Sequence, residues 1–186
     1  EALTQNLLEV KPTVLISVPR VFEKVYSRIR EKTEEGSALK KRIFNWAVGV
    51  GERYAQAEQE EGAGLLLSAQ YKLAHTLVFS KLHDKLGGNL RFAASGGAAL
   101  PKDIGRFFQA AGIVIAEGYG LTETAPILSV NPLDAPRYGT VGHVLPDITI
   151  AIKDLEDETP IGTLSGNDYP SSLTTGEGEI VAKGPN

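Results

Sequence analysis

The chain has 186 residues, and its 19 Lys and Arg against 23 Asp and Glu give a formal net charge of −4. This acidic balance argues against nucleic-acid binding by bulk charge, because such proteins need a basic surplus to displace counterions. The lack of cysteine excludes a disulfide scaffold, a thiolate nucleophile and a cysteine-based zinc site. No apolar run approaches the roughly 20 residues that a membrane span needs, so we expect a globular protein without a transmembrane segment.

The two ends of the sequence suggest a segment of a longer protein. The chain begins at Glu1, contains no methionine, shows no signal-peptide pattern and ends at Asn186. The absence of cysteine agrees with a reducing compartment. We therefore expect a cytoplasmic protein, and we leave peripheral membrane association and self-association open.

The first third of the chain predicts one strand followed by helices. Val14–Val18 is a short, β-branched apolar run between two prolines, which predicts a buried strand. After Pro19, apolar residues recur at helical spacing and predict an amphipathic helix. Ser37 is the expected N-cap of a second helix, and a leucine-rich third helix follows. We interpret residues 37–86 as a helical insertion.

The middle of the chain predicts a βαβ unit. Leu90–Ala94 and Ile113–Ala116 are strand candidates, and Pro101 is expected at the first position of the helix between them, whose Phe107 and Phe108 face inward. Such crossovers imply parallel strands and a right-handed connection. The predicted fold class is therefore α/β, with a mostly parallel sheet flanked by helices.

The last part of the chain predicts a small antiparallel β unit. Ile148–Ile152 and Glu179–Ala182 alternate like strands, and the polar residues 155–175 between them are interpreted as a surface loop. We expect an α/β subdomain at 1–132 and an antiparallel, partly barrel-like subdomain at 133–186.

Two glycine-rich segments follow the predicted parallel strands, where ligands bind in open parallel sheets. In Ser95–Pro101 the small side chains let a flat ligand approach the backbone. In the second segment, Tyr119 can stack on a purine, Thr122 can donate to a phosphoryl oxygen and Glu123 offers the hard oxygen that Mg²⁺ prefers. The competing interpretation is a glycine-rich turn with a packed tyrosine and a capping threonine.

Four motifs, in this order and spacing, resemble those of the AMP-forming acyl-CoA synthetases of the adenylate-forming superfamily. The motifs are SGGAALP (Ser95–Pro101), EGYGLTETAP (Glu117–Pro126), GTVGHVLP (Gly139–Pro146) and GEIVAKGPN (Gly178–Asn186). Two further segments, VPRVFEKVYSRI (Val18–Ile29) and IFNWAVGVG (Ile43–Gly51), resemble the long-chain fatty-acid branch. The resemblance thus covers nearly the whole chain.

The resemblance implies a two-step ligase reaction. A fatty acid and Mg-ATP give an acyl-adenylate and pyrophosphate, and coenzyme A then displaces AMP to form the thioester. It implies that Thr122 contacts the phosphates, that Glu123 holds Mg²⁺, and that both act in catalysis. The nucleotide-binding residues that it implies are Gly96, Gly97, Ala98, Glu117, Gly118, Tyr119, Gly120 and Thr122, with Glu117 and Gly118 beside the carboxylate being activated.

The family pattern has parts that this sequence lacks. Its phosphate-binding loop would precede Glu1, and its ribose-binding aspartate, hinge and catalytic lysine would follow Asn186. We therefore expect the 186-residue chain alone to be inactive, whereas its parent would be an enzyme.

Two other classes of protein remain as alternatives. The first is a serine hydrolase using Ser95, Asp134 and His143, although Ala93 breaks the G-x-S-x-G pattern. The second is a non-catalytic interaction subdomain. His75 and His83 are interpreted as surface or packing residues rather than as metal ligands. Trp46 is interpreted as a core or helix-interface residue rather than as an acyl-chain gate.

Overall fold

A computed structural model describes residues 2–167 and 176–185. Its helices are α1 (Ala2–Val10), α2 (Pro19–Glu34), α3 (Ala38–Gln59), α4 (Leu65–Ala74), α5 (Ser80–Lys85) and α6 (Lys102–Ala110), and a π-helical segment (His75–Phe79) joins α4 to α5. Its strands are β1 (Val14–Ser17), β2 (Phe92–Ser95), β3 (Val114–Gly120), β4 (Ile127–Val130), β5 (His143–Val144), β6 (Thr149–Lys153), β7 (Pro160–Ser165) and β8 (Glu179–Lys183). A 3₁₀ turn at Thr122–Thr124 lies between β3 and β4.

The first sheet has the strand order β1-β2-β3-β4-β5. β1, β2 and β3 are parallel, and helices cover the sheet as the α/β prediction required. Pro101 is the N-cap residue of α6 rather than its first helical residue, because its ψ of 126° is not helical. β1 was expected to be buried, and this was wrong. It is the edge strand among the described residues, and Ile16 is 80% exposed.

The structure extends β3 beyond the expected loop boundary at Ala116. Residues up to Glu117 pair with β2, whereas Gly118–Gly120 pair antiparallel with β4. The segment expected to be a loop from Glu117 is therefore a strand as far as Gly120, because β4 supplies its backbone partners. β5, at His143–Val144, continues this sheet past the boundary predicted at residue 132. The division into two domains stays a prediction.

A second, antiparallel sheet has the order β7-β6-β8, as expected for the last part of the chain. The interpretation of residues 155–175 as a surface loop was wrong in part. Pro160–Ser165 form β7, which is mostly exposed but gains its hydrogen bonds by pairing with β6. Residues 168–175 of that expected loop lie outside the described residues.

The main core lies between the helices and the parallel sheet. Phe107 and Phe108 on α6 are 4% and 1% exposed and make edge-on ring contacts with Tyr26 and Phe22 of α2. Burying each such side chain contributes about 1.5–3 kcal/mol. Ser37 caps α3 as predicted, since its Oγ accepts the Lys40 N–H at 3.3 Å. This core holds the sheet rigid beneath the loops at its carboxyl edge.

Within the described part of the chain, no helix combines the length and the hydropathy that a membrane span requires.

Candidate functional site

Two short segments meet at the carboxyl edge of the parallel strands. β2 and β3 run side by side with Ser95 opposite Glu117, so the segments that follow them begin at the same edge. A Cβ on Gly96 would lie 3.6 Å from the carbonyl oxygen of Gly118. The two backbones therefore approach closely.

The segment after β2, residues 96–100, presents backbone to solvent. Gly97 has φ +81°, a left-handed conformation that side chains rarely adopt, and a Cβ there would meet only open space. Gly97 and Ala98 are exposed, whereas Leu100 is 3% exposed and anchors the segment in the core. The exposed peptide groups are thus available to a flat ligand.

Glu117 holds residues 96–100 in place through a hydrogen bond to Leu100. Its carboxylate is buried, with 4% of the residue exposed, and Oε1 accepts the backbone N–H of Leu100 at 2.8 Å. Burial raises the pKa of Glu117, and the Leu100 hydrogen bond offsets this in part. Oε2 has no hydrogen-bond partner among the described residues. The side chain predicted to lie beside the substrate carboxylate is therefore also a support for residues 96–100.

Ser95 forms a second buried polar group under the same segment. It is 2% exposed, and its Oγ has no hydrogen-bond partner among the described residues. Because Ser95 is aligned with Glu117 across the parallel pair, the edge of the sheet carries two adjacent buried polar side chains.

Tyr119 lies at the other side of the site, on the final residues of β3. It is half-buried and packs against the second hydrophobic cluster, which contains Leu128 and Val144. A β-bulge follows at Tyr119/Gly120, and a Cβ on Gly120 would overlap the carbonyl oxygen of Pro126. The ring is thus held at the edge of the site by packing, and its contact with a purine stays a prediction.

The 3₁₀ turn presents the two predicted phosphate-side residues. Thr124 closes this turn, because its Oγ1 accepts the Leu121 N–H at 3.0 Å and lies 2.9 Å from the Leu121 carbonyl oxygen. The capping threonine of the competing interpretation is therefore Thr124. Thr122 and Glu123 are exposed, and neither side chain has a hydrogen-bond partner within the described part of the chain. Both are available to a ligand.

The residues present fit a magnesium ion held largely by substrate. Among residues 2–167 and 176–185, no three His, Cys, Asp or Glu side chains cluster closely enough to cage a metal. Mg²⁺, however, is commonly held by one or two carboxylates together with substrate phosphates. The exposed, unpartnered carboxylate of Glu123 suits that arrangement.

Asn131 was not predicted, yet it organises the far wall of the site. It is 1% exposed, its Nδ2 donates to the Thr140 carbonyl at 2.6 Å, and its Oδ1 accepts the Arg137 N–H at 3.0 Å. Its own backbone N–H donates to the Glu117 carbonyl at 2.9 Å. The signal in the sequence was a polar residue between the apolar run of β4 and Pro132.

The geometry does not favour a serine hydrolase. Ser95 is buried and lacks a hydrogen-bond partner in the described ranges, whereas Asp134 and His143 are exposed. His75 and His83 pack ring to ring with centroids 5.1 Å apart, and His83 Nε2 donates to the Ala111 carbonyl at 2.7 Å. Both histidines are packing residues, as expected.

Comparison with known proteins finds relatives that are named as acyl-CoA ligases or synthetases. Long-chain-fatty-acid–CoA ligase FadD15 of Mycobacterium bovis is 42% identical over 154 residues, which are 81% of this chain and 25% of that protein. Long chain acyl-CoA synthetase 4 of Arabidopsis thaliana is 33% identical over 184 residues, which are 98% of this chain and 25% of that protein. The chain thus spans about a quarter of the length of these curated relatives.

The same fold is found in a solved structure. The crystal structure of the anthranilate CoA ligase AuaEII in complex with anthranoyl-AMP matches 99% of this chain and 24% of its own, with 18% identity and a TM-score of 0.53. The family model described as "AMP-binding enzyme" matches residues 1–186. Since that match covers every residue, the chain belongs to the AMP-binding enzyme family.

Proposed function

We propose that this chain supplies the adenylate-binding loops of an ATP-dependent long-chain fatty acid–CoA ligase. The observation that supports the proposal is that two segments begin at the same edge of the sheet. One carries the exposed residues Gly97 and Ala98, and the other carries Tyr119, Thr122 and Glu123. The names of the relatives support a fatty acid as the acid that is activated. We further propose a cytoplasmic location.

The adenine would lie between two walls. The Gly96 N–H is engaged by the Ser17 carbonyl at 3.3 Å, so the Gly96 carbonyl and the peptide groups of Gly97 and Ala98 would offer hydrogen bonds to its edge. None of these three residues has a side chain larger than a methyl group. Tyr119 offers an aromatic face whose rear is already supported by the second hydrophobic cluster. A supported ring loses little conformational freedom on binding, so stacking can favour the bound state.

The phosphates would lie towards the 3₁₀ turn. The Thr122 hydroxyl would donate a hydrogen bond to a phosphoryl oxygen, and the Glu123 carboxylate would hold Mg²⁺. When bound, Mg²⁺ neutralises negative charge on the phosphates.

In the first step an oxygen of the fatty-acid carboxylate attacks the α-phosphorus while the bond to the bridging oxygen of pyrophosphate breaks. In the second step the sulfur of coenzyme A bonds to the acyl carbon, its proton is lost, and AMP leaves with the carboxyl-derived oxygen. Neither step requires a covalent bond to the protein. The residues described here contribute by positioning the reactants and by neutralising charge.

The proposal is tested by Glu123→Gln in the complete natural protein. We expect fatty-acid-dependent pyrophosphate release to slow on the order of 100-fold, since a loss of about 3 kcal/mol at 1.36 kcal/mol per factor of ten gives that ratio. The melting temperature should change little, because Glu123 is exposed. Glu156→Gln, at another exposed turn, is the matched control. Unchanged adenylation with a lower melting temperature would make Glu123 a structural residue instead.

A further inference from the structure

A cavity lies away from the adenylate-binding loops, between α2, α3 and the π-helical segment. Its volume is about 420 Å³, within the range of small-molecule pockets. Its lining residues come from α2, α3, the π-helical segment, α5 and α6, with Ser37 between α2 and α3. None of them belongs to residues 95–101 or 117–126, so this helical cleft is separate from the site described above.

The floor of the helical cleft is apolar and firmly packed. Phe44, Phe79, Leu82 and Phe107 are each 6% exposed or less and belong to the main core. A floor of this kind can cover an alkyl chain without first having to rearrange.

The rim of the helical cleft is cationic. Lys32, Lys40, Lys81 and Lys85 line it, and no carboxylate does. None of these four forms an ion pair within the described part of the chain, and the nearby Glu34 is engaged by Lys41 at 2.9 Å. Burial, followed by repulsion from Lys32 and Lys40, lowers the pKa of Lys85. The rim therefore carries positive charge that the protein itself does not neutralise.

The π-helical segment His75–Phe79 gives an independent indication. A π-helical turn inserts an extra residue into a helix and is frequent at functional sites. Here it carries Leu77, Val78 and Phe79, all of which line the helical cleft. Leu77 remains 44% exposed, and Leu39 on the facing helix 67% exposed. The turn therefore offers apolar surface to the cleft that the fold leaves uncovered.

We propose that the helical cleft binds a fatty-acid anion, with its alkyl chain on the aromatic floor and its carboxylate at the lysine rim. The charge complementarity selects an anion, and the apolar floor selects an alkyl chain. The concave shape favours an inserted molecule over the flat surface of a membrane. This binding does not depend on the ligase activity proposed above, because it uses none of the same residues.

Photolabelling locates the ligand directly. The complete natural protein is irradiated with dodecanoic acid that carries a diazirine at the chain terminus, and the labelled peptides are identified by mass spectrometry. We expect labels on the floor-bearing segments around Phe44 and around Val78–Phe79. Unlabelled dodecanoate should compete, whereas dodecanol, which lacks the anionic head, should compete at least tenfold less well.

A matched pair of double variants tests the lysine rim. Lys32→Glu with Lys85→Glu reverses two rim charges, whereas Lys24→Glu with Lys72→Glu reverses two exposed lysines of α2 and α4 that do not line the cleft. We expect the rim variant to reduce labelling of the cleft at least tenfold, and the control to stay within twofold of wild type. Pyrophosphate release, measured on the same samples, reports separately on the proposed ligase function.

Three results would overturn the proposal. The first is labelling confined to residues 95–101 and 117–126, which would leave the helical cleft without a ligand. The second is equal labelling of the rim variant and its control. The third is cleft labelling that occurs only with anionic phosphatidylglycerol vesicles present, which would make this face a membrane contact instead.

Discussion

Replacing Glu117 should separate its support of residues 96–100 from its predicted contact with the substrate carboxylate. Glu117→Ala removes the acceptor of the Leu100 N–H, which is made at 2.8 Å by a residue that is 4% exposed. A buried donor left without a partner costs about 1–3 kcal/mol. We therefore expect the free energy of unfolding to fall by that amount, and residues 96–100 to lose their fixed position.

Glu117→Gln should behave differently, because its amide oxygen can still accept the Leu100 N–H. The substitution also removes the titratable carboxyl group. Burial raises the pKa of Glu117 in the folded protein above its ordinary value of 4.5, so folding favours the protonated carboxyl. That contribution to stability is fully present below pH 4.5 and is lost as the pH rises through the raised pKa. The glutamine variant lacks this loss, so its stability relative to wild type should increase with pH over that range.

Two measurements check the prediction. Urea denaturation of wild type and both variants, at pH 4 and at pH 8, gives the free energies of unfolding. Steady-state kinetics of the complete natural protein give the KM for ATP, which we expect to rise roughly tenfold in Glu117→Ala, for about 1.4 kcal/mol of lost positioning. The glutamine variant should retain a KM closer to wild type.

The reasoning about Glu117 fails if the alanine variant is as stable as wild type at both pH values. It also fails if wild type and the glutamine variant show the same pH dependence, because the buried carboxyl would then not titrate with a raised pKa. If Glu117→Gln alone abolished adenylation while stability held, direct contact with substrate would outweigh the support of residues 96–100.

Three further predictions concern β3 and the tyrosine that is hydrogen-bonded to it. Tyr138→Phe removes the hydroxyl that accepts the Ile115 N–H at 3.2 Å, so urea denaturation at pH 8 should show a loss of about 1–3 kcal/mol. Because burial raises the pKa of Tyr138 from 10 to about 12, the free energy of unfolding of wild type should fall by up to about 3 kcal/mol between pH 10 and 12, and the phenylalanine variant should lack this drop. Tyr119→Leu keeps apolar packing but removes the aromatic face, so calorimetry on the complete protein should show ATP binding weakened at least fivefold with the melting temperature nearly unchanged. Gly120→Ala forces its new Cβ against the backbone of Pro126 and Ile127, so both the melting temperature and ATP binding should fall.

The parallel core of the fold could be predicted because its signals are local. Apolar runs at 14–18, 90–94 and 113–116, separated by helical periodicity, left few alternatives to parallel strands. β7 could not be found in this way, because Pro160 and Gly162 discourage strand assignment and its hydrogen bonds come from pairing with β6. The exposure of Ile16 likewise depends on which strands flank β1, which its own residues do not specify.

The location of the candidate site could be predicted, but the roles of its individual side chains could not. Glycine-rich segments after parallel strands leave the backbone open to a ligand, so residues 96–98 and 118–120 could be proposed from sequence. Thr122 and Thr124 are chemically identical, and only the path of the 3₁₀ turn makes Thr124 the cap and leaves Thr122 free. Asn131 was missed for a related reason, since its three partners lie in segments that meet only in the folded chain.

β3 changes its neighbouring strand along its length, and this change determines where the site lies. As far as Glu117 this strand pairs in parallel with β2, and from Gly118 it pairs antiparallel with β4. Glu117 therefore stands where three segments converge: its side chain holds Leu100, its carbonyl accepts Asn131 N–H, and Ser95 lies beside it. Beyond this point β2 no longer accompanies β3, and the segments after both strands lie at the carboxyl edge, where open α/β sheets bind ligands. Glycines follow because the backbones approach closely there: a Cβ on Gly96 would lie 3.6 Å from the Gly118 carbonyl oxygen, and one on Gly120 would overlap that of Pro126. The buried carboxylate of Glu117 precedes them because its hydrogen bond to Leu100 holds the segment after β2 against β3.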